Sequence, residues 1–166
     1  MSVHDVAAYI VAKSGSLSAM KLQKLVYYSQ AWHLVWDGEP LFDERIEAWA
    51  NGPVVYEVFD RHRGRYTVDS WSDGDESQLN SSERATIDAV LDAYGHLTAR
   101  QLSFLTHSEG PWQDARGSLP DTARSNAEIT PLALAEFYGA LDAAKDATPV
   151  EDVDWRSWEP GDEPPF

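Results

Sequence analysis

The sequence predicts a mainly α (α+β) protein: a compact helical domain built around a central helix near residues 18–36, with a small antiparallel β element near residues 41–50. Three observations carry this reading. Several segments repeat apolar residues at three- and four-residue spacing behind a capping residue. The segment Ser18 to Trp36 is apolar around most of its circumference, as a helix enclosed by others must be. Arg45 to Ala50 alternates with the period of a strand.

Taken in order, Ser2 caps a first helix whose Val3, Val6, Ala7, Ile10 and Val11 share a face, and Gly15 ends it. Ser18 caps the central helix and Gly38 follows it. Its Leu22, Leu25, Val26, Ser29, Trp32, His33 and Trp36 form one face, and only Gln23, Lys24 and Gln30 keep a narrow polar side. Gly38-Glu39-Pro40 is a turn. Leu41–Asp43 and Arg45–Ala50 follow as two short strands, and Asn51-Gly52-Pro53 breaks the chain. Pro53 suits the first turn of a helix, here carrying Val54, Val55, Val58 and Phe59 up to Gly64. Residues 67–82 read as an acidic surface loop. Asn80 with Glu83, and Thr98 with Gln101, are capping pairs that open two further helices. Trp112 to Arg116 forms one more turn, residues 117–127 are loop, and Thr130-Pro131 starts a last helix ending near Asp146. The domain thus spans 1–146. Residues 147–166, with six acids, one Arg, four Pro and two Trp, form an acidic C-terminal tail expected to be flexible.

The 166 residues carry 13 Lys plus Arg against 28 Asp plus Glu, a formal charge of −15. That balance argues against a nucleic-acid partner, which needs a basic footprint. With no cysteine, disulfides, thiolate zinc sites, iron–sulfur clusters and a cysteine nucleophile are all excluded. No apolar run approaches the roughly 18 residues of a membrane span, and Met1 to Asp5 has no basic or apolar leader pattern. These features predict a cytoplasmic protein that binds no membrane.

Motifs for hydrolysis, nucleotide binding and metal binding are missing from the sequence, so no catalytic, cofactor or metal residue is assigned. His107-Ser108-Glu109 has the shape of a deaminase motif without the cysteines its zinc needs. Asp73-Gly74-Asp75-Glu76 lacks the ligand spacing of a calcium loop. His33 reads as a buried, hydrogen-bonded core histidine, and Asp43, Glu44 and Glu47 as a solvated face. Arg61-His62-Arg63-Gly64-Arg65 is the one basic run. It suits either a helix C-terminus or a contact patch. Seven Trp and seven Tyr supply core or interface anchors, with Tyr27 and Trp49 placed outside the main apolar stripe.

Lys21-Leu22-Gln23-Lys24-Leu25-Val26-Tyr27-Tyr28-Ser29-Gln30-Ala31-Trp32-His33 resembles the signature helix of the Panacea domain family, which includes the SocA-like antitoxins and phage-associated GepA proteins. Pro40–Glu44, Ile46–Trp49, Asn51–Val54, Thr106-His107, Pro111-Trp112 and Ala115-Arg116 continue the likeness in order, as do Ile129-Thr130 and Phe137-Tyr138, so that it covers about residues 4–141. The resemblance implies a mostly helical bacterial domain that acts as the antitoxin of a two-gene module. It would neutralise a cognate toxin by direct protein–protein binding, without enzymatic activity. A proteolytic adaptor that delivers the toxin to a protease is the alternative, and a hydrolase using His33 or His107 stands behind both. Lys21, Lys24, Tyr27, Trp49 and Arg61 are the candidate partner-binding residues, with Trp155, Trp158 and Phe166 of the tail as a second contact. No helix-turn-helix signature supports a repressor, and a homo-oligomer stays open.

Overall fold

The computed structural model describes residues 1–144; the tail at 147–166 and the helix end expected near Asp146 lie outside the described residues. The central helix, α2, runs Ala19–Asp37. Ser18 Oγ accepts from Lys21 N (3.1 Å) at its start, and Gly38 ends it in the left-handed region. Every residue from Leu22 to His33 is buried, so the enclosure read from its composition holds.

The enclosing layer is helical. α1, Val3–Ser14, starts with a capping box between Ser2 and Asp5. α4, Ser81–Tyr94, and α5, Ala99–His107, each start with the capping box that their sequences show, Asn80 with Glu83 and Thr98 with Gln101. α6 is Gly110–Arg116, and α7, Pro131–Ala143, is capped by Thr130. Apolar side chains of α1, α2, α4, α5, α6 and α7 form one continuous core in which Leu22, Leu25 and Val26 are fully buried.

The β element keeps one of its two expected strands, within Arg45–Ala50, and exchanges the other. The strands are β2, Ile46–Trp49, and β3, Gly52–Val55, joined antiparallel with Ile46 opposite Val55 and Trp49 opposite Gly52. Leu41–Asp43 is not a strand. Asn51 lies in the hairpin turn, and α3 starts three residues after Pro53, as Tyr56–His62. Val54 and Val55, read as the first turn of a helix, prefer the pleated surface because they are β-branched. β5, Glu128–Ile129, pairs with the other side of β2. β1, Leu17–Ser18, pairs with β4, Thr67–Val68. Two-residue strands are too short to show an alternation, so sequence periodicity does not find them.

The outer edge of β3 is closed by side chains of α2. Gln23 Oε1 accepts from Val55 N (2.9 Å), and Gln23 Nε2 donates to Val55 O (3.2 Å). Lys24 Nζ donates to Pro53 O (3.3 Å), and Pro53 has no N–H to satisfy. One heptad along the helix, Gln30 Oε1 accepts from Leu41 N (2.6 Å) while its Nε2 donates to Phe42 O (2.8 Å). Residues seven apart share a helix face, so one stripe of α2 holds two extended segments of backbone. Gly52 lets the hairpin approach. Its φ is +117°, and a Cβ there would lie 2.6 Å from Lys24 Cε.

Gln23→Ala is expected to leave Val55 N–H and C=O buried and unpaired, and to lower the unfolding free energy by about 2–4 kcal/mol. Gln78→Ala, at an exposed position, should change it by about 0.5 kcal/mol or less. Urea denaturation of both variants measures the contrast.

Candidate functional site

The five candidate partner residues fall into different environments. Lys24 and Tyr27, expected on an exposed side of the central helix, are buried at 0% and 1% exposure. Lys24 is drawn inward by the Pro53 carbonyl, and Tyr27 by a phenol–carboxyl network. Lys21 is partly buried, and its Nζ donates to Gly95 O (2.6 Å). That places a positive charge at the C-terminus of α4, the favourable end of its dipole; burial pulls the ammonium pKa down. Trp49 is half-buried and Arg61 is exposed.

Trp49 and α3 build a surface corner. Trp49 Nε1 donates to Glu47 Oε1 (2.8 Å), and its ring meets Phe59 edge-on at 4.9 Å. Phe59 touches Tyr56 (5.9 Å), and the Arg63 guanidinium lies over the Phe59 ring (4.8 Å) while donating to Tyr56 Oη (3.0 Å). Arg61 pairs with Asp73 (3.7 Å) and Arg63 with Asp60 (3.3 Å). Tyr56 is 43% exposed. Sequence reasoning singled out Trp49 and Arg61 here, and Arg63 only as part of the basic run, but passed over Tyr56. Their role becomes visible only when α3 folds Tyr56 and Arg63, seven residues apart, onto Phe59. Trp, Tyr and Arg are the side chains that most often anchor protein interfaces.

The interior network centres on Glu109, at the start of α6. Tyr28 and Tyr138 both donate to Glu109 Oε1, at 2.6 and 2.8 Å, so Tyr138 accepts from Tyr27 in turn (2.9 Å). Tyr94 stacks on Tyr28 (4.1 Å) and accepts from Trp32 Nε1 (2.9 Å). Burial raises the Glu109 pKa to about 7 against the pull of its two phenol donors. Burial first, and then the Glu109 charge, push Tyr27, Tyr28 and Tyr138 well above the ordinary phenol range. The network joins α2, α4, α6 and α7 and uses every phenol that it encloses.

The histidines named for hydrolysis lie in different surroundings, and the buried Nε2 of His107 has no hydrogen-bond partner among the described residues. His33 Nδ1 meets Thr86 Oγ1 (3.1 Å) and lies 3.8 Å from Asp37 Oδ2. Ser82 donates to the same carboxylate, so Asp37 stands between hydroxyl and imidazole. A catalytic triad instead needs the imidazole between the other two groups. His107 stacks on Trp112 (4.0 Å), and burial followed by the Lys24 charge lowers its pKa to about 4. His62 is lowered likewise, to about 4, and accepts at Nε2 from Gln23 Nε2 (3.1 Å). The acids Glu44 and Glu47, expected to be solvated, have partners: Glu44 accepts from Val3 N (3.3 Å) and Glu47 pairs with Arg45 (3.3 Å). Among the described residues no group of three His, Asp or Glu is arranged to hold a metal ion, and no helix is long and apolar enough to cross a membrane.

A buried polar interior and a surface corner of Trp49, Tyr56 and Arg63 are thus the two features that the described residues set apart. The SocA-like antitoxin family, Panacea domain, matches residues 22–113, and the chain belongs to that family. It is also similar to Antitoxin SocA of Caulobacter vibrioides (strain NA1000 / CB15N), with 31% identity over 109 residues. The alignment covers 58% of this chain and 58% of that protein. No solved structure matches. The family segment begins inside α2 and ends inside α6, so it contains Gln23, Lys24, Gln30, the hairpin and Glu109.

The raised Glu109 pKa has a pH signature. The folded protein holds a proton there between about pH 4.5 and 7 that the unfolded chain releases, so this group's contribution to stability declines as pH rises through that window. His62 and His107 act oppositely, since their folded pKa values lie below the unfolded one, and their contribution is lost as pH falls from about 6.5 to 4. The difference between Glu109→Gln and wild type isolates the carboxyl. The variant is expected to gain up to about 3 kcal/mol relative to wild type between pH 4.5 and 7. Denaturation curves of both proteins across that range give the slope, and parallel curves would contradict the assignment.

Proposed function

We propose that the protein is an antitoxin that neutralises a cognate toxin by direct binding and without catalysis. Membership of the SocA-like antitoxin family carries this reading. The Trp49–Tyr56–Arg63 surface corner, with Trp49 half-buried and the other two exposed, supports it with anchor residues held in place by ring contacts before any partner arrives. Trp49 and Arg61 contact the toxin in this reading, joined by Tyr56 and Arg63. Lys21, Lys24 and Tyr27 act from within by fixing α2 against α4, the hairpin and α7.

The test is co-expression with the product of the adjacent gene. Wild type should restore growth and co-purify with that product. Tyr56→Ala combined with Arg63→Ala should weaken the complex about 30-fold, as loss of an interface anchor does, with an unchanged melting curve. Absence of both rescue and complex formation would refute the reading. The toxin's lifetime in the same cells separates a blocker, which leaves it unchanged or longer, from a proteolytic adaptor, which shortens it.

A further inference from the structure

A second surface lies between α1 and the acidic segment at 69–76. It is a groove of about 400 Å³. Its floor is one face of α1 at i, i+3 and i+4: Ala8 and Ala12, whose small side chains leave room above the helix, with the core residue Val11 beneath them. Its far wall is Asp69, Trp71 and Glu76. No Lys, Arg or His lines it.

The wall is fastened to the domain. Asp75 N donates to Asp5 Oδ1 (2.8 Å), and Trp71 Nε1 donates to His4 Nδ1 (3.2 Å). Gly74 lies so close to the start of α1 that a Cβ there would fall 1.9 Å from His4 O. The sequence reads this stretch as a plain surface loop. Its attachment shows a fixed wall whose shape does not need to form on binding. The acids next to the groove divide in two. Asp73 is paired with Arg61 (3.7 Å), and Asp75 is turned onto Ser77 and Gln78. Asp69 and Glu76 are exposed at the rim and their carboxylates have no ion pair among the described residues, while the Arg84 guanidinium donates to the Glu76 carbonyl (3.1 Å) behind it. Lys13, the nearest cation on α1, is directed to Asp88 (3.9 Å).

We infer that this groove receives an amphipathic, cationic segment of a protein partner, its apolar residues on the alanine floor and its Lys or Arg side chains at Asp69 and Glu76. An apolar floor selects against a bare cation, and an acidic rim selects against lipid headgroups and nucleic acid, whose phosphates it would repel. The shape and charge suit a basic helix laid along α1. The inference deepens the antitoxin reading by naming the partner's chemistry at a surface separate from the tryptophan corner.

Two measurements test it on the full chain. In the first, a synthetic helix of leucine and lysine at heptad spacing is titrated into the labelled protein and followed by NMR, with a leucine–glutamate helix as control. Shifts should centre on Ala8, Val11, Ala12 and Trp71. Ala12→Phe, which fills the groove from an exposed position, should weaken binding about tenfold, as should Asp69→Asn with Glu76→Gln. Shifts spread over other acidic surfaces, equal binding by Ala12→Phe, or no binding would overturn the groove assignment. In the second, Ala12→Phe is compared with wild type against the adjacent gene's product. Intact wild-type neutralisation that Ala12→Phe leaves unweakened overturns the groove and spares the antitoxin reading. If wild type itself fails to neutralise, the antitoxin reading falls, and the peptide titration still decides the groove.

Discussion

The edge of a β-hairpin closed by side chains of a helix is the constraint on which the rest of this fold depends. Pro53 and Val55 present backbone groups away from β2, and the interior offers them no water. Each unpaired group would cost about 1–3 kcal/mol. Gln23 and Lys24 remove that penalty together, and Gln30 does the same at Leu41 and Phe42. These bonds are directional where apolar contact is not. They therefore fix the rotation of α2 about its axis and its position along the hairpin, which hydrophobic burial alone would leave loose. Gly52 belongs to the same arrangement, because the Lys24 stem occupies the space that a side chain would need.

With α2 fixed on that side, its Tyr27 and Tyr28 can carry a second polar network. Glu109 is brought to their hydroxyls by α6, and Tyr138 by α7. The same low polarity that makes an unpaired group costly strengthens these bonds and keeps the carboxyl neutral to about pH 7. A network of this kind discriminates between packings, since a shifted α7 would leave two phenols without partners. The central helix thus owes its burial to apolar residues and its unique seating to the polar ones.

That division explains what the sequence discloses. Apolar spacing, capping pairs and the Gly38 stop place α1, α2, α4, α5 and α7 to within a few residues, because those signals are local. The second strand of the hairpin escapes the sequence reading because Pro53 and the two valines after it satisfy local rules for either a helix start or an edge strand. The tie lies in Gln23, thirty-two residues away from Val55. Burial of Lys24 and Tyr27 is hidden for the same reason: a polar residue on an enclosed helix looks exposed until its distant partner is known. Trp49, Arg61 and the basic run that holds Arg63 are legible as interface material from residue type, whereas Tyr56 needs the turn of α3 to bring it onto Phe59.

The charge distribution bears on what such a surface can recognise. At physiological salt a charge is felt over about 8 Å, so an approaching molecule first meets the acidity of the whole domain, which attracts a basic partner and repels phosphate backbones. Close in, the basic run at residues 61–65 offers less net charge than its composition implies, because Arg61 faces Asp73 and Arg63 faces Asp60. What remains at the corner is a set of oriented guanidinium and phenol groups on an aromatic base. Such groups contribute by shape, stacking and directed hydrogen bonds, and neither salt nor a polyanion substitutes for a surface that complements them. In the proposed antitoxin reading the corner is therefore matched to a folded protein rather than to nucleic acid, which is the distinction that a net charge of −15 could raise but not locate.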